Sequence, residues 1–96
     1  MPFFGFDRVM GCSRADLARW LTELTGSDHG MAATGRADIP LDWGTLGVVA
    51  EPMAPRVIAL ARIQQLRVRF VYPDGAQEHA RDWVTRFDKH TQRGGG

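Results

Sequence analysis

Apolar and polar positions alternate with period two from Leu66 to Tyr72. Leu66, Val68, Phe70 and Tyr72 fall on one face of an extended chain, and Arg67, Arg69 and Val71 on the other. This is the pattern of a strand with one side in a core. Pro73-Asp74-Gly75 interrupts it, and apolar residues then recur at helical spacing in Ala76, Ala80, Trp83, Val84 and Phe87, which predicts a helix. Asp74 is expected to cap that helix, with Gln77 three positions later as its capping-box partner. Arg86, Lys89, His90 and Arg93 gather at its far end, where the helix dipole favours cations.

A second apolar stripe, Leu17, Trp20, Leu21 and Leu24, has the spacing i, i+3, i+4, i+7. Ser13 offers an N-cap, Asp16 places a carboxylate in the first turn, and Gly26 supplies a stop, so the first helix is expected over Ser13–Thr25. The aromatic-rich stretch Phe3–Val9, closed by Gly11, predicts a preceding strand. Residues 26–35 carry three glycines and read as a loop or a weak strand. Arg36–Leu41 and Thr45–Glu51 read as short strands joined by a hairpin turn at Asp42-Trp43-Gly44, with Gly44 where a positive φ is needed. Pro40 assigns the first of them to a sheet edge.

Pro52 and Pro55 are expected to bracket a short connection. For 57–63 the β-branched Val57, Ile58 and Ile63 favour a strand over a helix, joined to the Leu66 strand by a turn or bulge at Gln64-Gln65. The element order is then β-α-β-β-β-β-α. It predicts an α+β two-layer sandwich: a mostly antiparallel sheet of four to five strands with two helices on one face. Trp20, Leu21, Leu24, Trp83, Val84 and Phe87 are expected to meet Phe4, Phe6, Leu66, Val68 and Phe70 in the core.

A chain of 96 residues forms one core, burying roughly 60–65% of its unfolded surface, so a single domain is expected over 1–93 with 94–96 as a mobile glycine tail. The net charge is +1, but unevenly spread: residues 1–48 hold four Arg against six acids, and 49–96 hold eight Lys/Arg against five acids. The single cysteine, Cys12, excludes an internal disulfide and suggests a reducing compartment. The N-terminus lacks the basic and apolar regions of a signal peptide. The longest apolar run, Val57–Ala61, is far short of the ~20 residues of a membrane helix. The expected location is cytoplasmic, away from membranes.

The residues give little ground for enzymatic chemistry. Cys12 precedes the first helix, a position that favours a thiolate, but no local pattern supplies a base; His29 and His79 are the candidates to approach in space. His79 and His90 lie eleven residues apart, about 16 Å along a helix, and no HxxxH, HxH or Cys-His spacing points to a metal. Phosphate-cradle and nucleophile-elbow motifs are absent. No cofactor and no catalytic or metal-binding residue is assigned.

Arg56, Arg62, Arg67 and Arg69 lie in a stretch without an acid between Pro52 and Pro73. They are the candidate nucleic-acid-binding residues, through phosphates of a single strand, although the exposed face lacks stacking aromatics. The end Arg93-Gly94-Gly95-Gly96 resembles the Gly-Gly terminus of ubiquitin-like carriers over those residues only; such carriers reach their tail from a strand, not a helix. The leading expectation is a non-enzymatic interaction module that binds an unknown protein or itself, as a homodimer through an exposed strand. A single-strand nucleic-acid binder is the alternative, and a thiol enzyme or Gly-Gly carrier a third.

Overall fold

The computed structural model describes residues 4–92, with side chains over 6–91. The elements are β1 (Phe4–Met10), α1 (Arg14–Thr25), α2 (Met31–Thr34), β2 (Arg36–Leu41), β3 (Gly44–Ile58), β4 (Ala61–Tyr72) and α3 (Gln77–Gln92). All strands pair antiparallel in one sheet of order β1-β4-β3-β2. The α+β class, the antiparallel sheet and the helical layer on one face are as expected. The described residues form four strands, one fewer than the expected order β-α-β-β-β-β-α, and residues 26–35 supply a short extra helix instead of the expected loop or weak strand. That helix forms because the Asp28 carboxylate accepts from the Gly30 and Ala32 backbone N–H groups at 3.1 Å each. Those same bonds hold the Asp28 pKa below its ordinary value.

The central pair is positioned by its phase. On β4, Leu66, Val68, Phe70 and Tyr72 are buried and Arg67 is exposed. Leu46, Val48 and Ala50 of β3 and Ala37 and Ile39 of β2 join the same buried face. Leu17, Trp20 and Leu21 of α1 and Ala80, Trp83, Val84 and Phe87 of α3 pack on that face in one cluster, with Phe6 and Leu24 partly buried beside it. Phe70 is central to it, with the Phe87 ring edge-on at 5.1 Å and Trp83 at 6.2 Å. Arg8, also on the core-facing side of β1, passes over the Phe70 ring at 5.6 Å and ion-pairs with Asp88 of α3. The expected side-chain contacts of Phe4 lie outside the described residues, as do Phe3 and the 94–96 tail.

Local chemistry sets the element ends. At α1 the reciprocal capping box forms, Asp16 N–H to Ser13 Oγ and Ser13 N–H to Asp16 Oδ2, both 3.1 Å, and Gly26 closes the helix. The ladder pairs Leu41 with Gly44 across Asp42-Trp43. Gly44 has φ 136 and a Cβ there would lie 3.0 Å from the Pro73 ring, so both conformation and space require glycine. Asp74 does not cap α3. The Ala76 N–H donates to Pro73 O, so Asp74 and Gly75 are the middle of a tight turn and the helix starts two residues later. Gly75, φ 88, takes the position that demands positive φ in a type II turn.

Beyond Ala50 the fold departs from expectation. Pro52 and Pro55 do not bound a connection; β3 runs through both to Ile58. It turns at Ala59-Leu60 and returns as β4, with a register irregularity between Met53 and Arg56 in place of the bulge expected at Gln64-Gln65. Residues 57–63 are therefore a hairpin end, not a strand of their own. The prolines are tolerated because this part of β3 has no outer strand among the described residues to receive an N–H.

Candidate functional site

β2 pairs with β3 only as far as Val49, and β1 with β4 only as far as Leu66. Past these points β3 and β4 continue as a two-stranded arm with no further strand beside it among the described residues. The eight residues from Glu51 to Ile58 extend it roughly 26 Å from the body, and the molecule is 45 Å along its longest axis against 27 and 24 Å across. Residues 51–64 of the arm are all exposed.

The arm is apolar nonetheless. Met53, Val57, Ile58, Leu60 and Ile63 lie on it, and with Val9 they are the large exposed hydrophobic residues among those described. Val57 is 63% exposed, Ile58 48%, and Leu60 at the tip fully so. Ala59 in the turn has φ 54, a left-handed conformation that costs a non-glycine residue about 1–2 kcal/mol. An Asn-Gly pair would make this turn without strain. The tip instead carries a strained alanine and a leucine in water, an arrangement that hairpin stability does not explain.

The four candidate arginines are divided by this geometry. Arg56 and Arg62 stand on the arm, bracketing the apolar tip. Arg67 and Arg69 stand on the open face of the sheet body, the side without helices. Alternation and register put Asp7, Val9, Arg36, Asp38, Val49 and Glu51 on that same face. Arg69 pairs with Asp7 at 3.3 Å and approaches Glu51 at 3.9 Å, and Arg36 pairs with Asp38 at 3.1 Å. The three arginines of this face, Arg36, Arg67 and Arg69, thus share it with three acids, two of which, Asp7 and Glu51, flank Arg69, and no described aromatic side chain lies among them. The alternation in the sequence placed Arg67 and Arg69 on the correct face; it missed that neighbouring strands bring acids onto it, and that Arg56 and Arg62 stand apart on the arm.

Cys12 is buried, 6% exposed, after β1. Burial, reinforced by the nearby Asp16 carboxylate, pushes its pKa up to about 11, so the thiol stays protonated and the helix end does not activate it. His79 stacks on Trp43 with ring centres 5.8 Å apart, and His29 is hydrogen-bonded to Thr25 Oγ1 at 3.0 Å. His90 meets Glu23 at 2.7 Å, and Arg19 pairs with Asp16 at 3.5 Å. No group of three or more His, Cys, Asp or Glu side chains among the described residues is placed to hold a metal.

Beside the root of the arm, where β1 ends, a shallow, mainly apolar recess is lined by Val9, Met10, Gly11, Cys12 and Trp20, with Arg8, Asp88 and Thr91 at its polar side. It adjoins the arm: a Cβ on Gly11 would lie 3.5 Å from Ile63 Cγ2. No helix of the described residues is long and apolar enough to cross a membrane. No protein-family model, curated protein or solved structure matches the chain.

Proposed function

We propose that this protein is a non-enzymatic interaction module whose working part is the β3–β4 arm. One observation carries the reading: large apolar side chains that the body has no use for are concentrated on a projecting two-stranded ribbon. Such a ribbon is marginal by itself in water, and concentrated exposed apolar surface is characteristic of contact sites. Each buried Val, Leu, Ile or Met contributes about 1.5–3 kcal/mol on removal from water, so seating the arm against a partner stabilises both the contact and the ribbon. The balanced charges of the open face favour this over a single-stranded nucleic acid, which needs uncompensated cations. The protonated thiol of Cys12 argues in the same direction against a nucleophilic enzyme.

The test is an arm-shortened chain in which Met53–Gln65 is replaced by Asn-Gly, closing the hairpin just beyond the Pro52–Leu66 pair. The excised residues include none of the buried core. The shortened protein is expected to keep its melting temperature within a few degrees and to fail to restore function to cells lacking the gene. Full restoration would contradict the proposal.

A further inference from the structure

We infer that the partner of the arm is a second copy of this chain, joined through the free edge of β4; this rests on the arm being the interaction surface. The arm has two outer edges, and they are not equivalent. Along β3 the edge is interrupted by Pro52 and Pro55, which have no N–H to donate, and by the register irregularity beside them, the devices that block strand addition. Along β4 the edge from Ala61 to Gln65 contains no proline and has no strand partner among the described residues, since β1 stops opposite Leu66. An exposed edge of this kind is a template for another strand.

A two-fold axis through the middle of that edge fixes the register. Its midpoint is Ile63, so Ile63 pairs with itself, Arg62 with Gln64, and Ala61 with Gln65 across the axis. Moving the axis to Arg62 sets two like charges opposite each other, which is unfavourable. Moving it to Gln64 drives the paired strand itself, at Arg62, into the place that β1 already occupies opposite Leu66, whereas with Ile63 at the centre only the turn residue Leu60 comes that far. With Ile63 at the centre, each arm runs antiparallel along the other beyond the end of β1, beside Gly11, which borders the Ile63 side chain. Each tip then reaches the end of the other copy's β1, where the apolar recess of Val9, Met10, Gly11, Cys12 and Trp20 lies. Leu60, the most exposed hydrophobic residue described, is the knob for that recess. Because knob and recess sit at opposite ends of the free edge, one symmetric operation fills both. The result is a four-stranded ribbon with Ile58 and Ile63 of both copies on one face. The contact is small against the ~1,600 Å² of a standard interface, so association is expected to be weak, in the micromolar range or above.

Sedimentation of the intact chain from about 1 μM to about 1 mM, the span over which a micromolar equilibrium moves, tests this. The mass is expected to rise from 10.7 kDa toward twice that value. Ile63→Asp and Ile63→Lys, each alone, are expected to weaken association about a hundredfold, as two buried Ile side chains are lost and like charges face each other. Mixing the two variants in equal amounts is expected to restore the dimer. Circular dichroism of each variant matching the parent separates loss of pairing from loss of fold. A chain that stays at 10.7 kDa throughout, a dimer unaffected by either variant, or no rescue on mixing overturns the inference. The proposed function survives a monomeric chain if the arm-shortened protein still fails in cells; the arm then serves a different protein.

Discussion

Trp83 shows how much one side chain of this core does. It is 5% exposed, stacked on Phe87 at 5.8 Å and close to Phe70. Trp83→Ala is expected to cost about 3–5 kcal/mol, as for a large aromatic lost from a core, a large part of the ~5–15 kcal/mol that holds a domain together. An unchanged denaturant midpoint would show that α3 does not pack through it. Cys12 gives a pH test. Its folded-state pKa lies near 11, above the ordinary 9.0, so the fold favours the thiol. Stability from this group is intact below pH 9 and falls as the pH rises toward 11, because the unfolded chain releases its proton first. Cys12→Ala is expected to flatten that decline in alkaline denaturation curves, and the native thiol should react slowly with thiol reagents at neutral pH. Fast modification there would contradict the buried, protonated assignment.

At the scale of elements, α1 was legible because its signals are local: an N-cap serine with a first-turn carboxylate, a 3.6-residue stripe and a terminal glycine; the reciprocal box between Ser13 and Asp16 came from the structure. Ser13→Ala is expected to cost about 1 kcal/mol, read as a lowered denaturation midpoint. The same box ties α1 to pH: its hydrogen bonds, chiefly from the Ser13 backbone N–H, hold Asp16 below its ordinary 3.8. That contribution is present above pH 4 and is lost as the pH falls, and Asp16→Asn should remove the dependence. The arm was not legible in the same way. Val57, Ile58 and Ile63 announced extended chain, but Pro52 and Pro55 are equally the marks of a connection and of an unpaired edge. Only the lengths of β1 and β2 decide between them, and those are set by pairing across the sheet. Asp74 failed for a related reason: a turn and a cap use the same residue types, and the Ala76–Pro73 hydrogen bond selects the turn.

Across the whole molecule, the core was readable from the apolar phase of four elements, while the charge pattern was not. Arg67 and Arg69 stand in an acid-free stretch of sequence, yet Asp7 from β1 and Glu51 from β3 flank Arg69 in space. Had Arg56, Arg62, Arg67 and Arg69 all contacted phosphates, single-strand affinity would fall with salt at a log–log slope of about −3. The expected result is no binding tighter than ~10⁻⁴ M at physiological salt. Micromolar binding with that slope, lost in Arg67→Glu/Arg69→Glu, would restore the nucleic-acid reading. In the proposed function the chain divides into a body that folds by its own core and an arm steadied by contact. Amide hydrogen exchange in dilute and in concentrated protein tests this most directly. The amides of Val68 and Phe70 should exchange slowly and equally at both concentrations. Those of residues 61–65 should exchange fast when dilute and slow markedly when concentrated. Arm amides as protected as Val68 in the dilute protein, or unchanged on concentration, would contradict it.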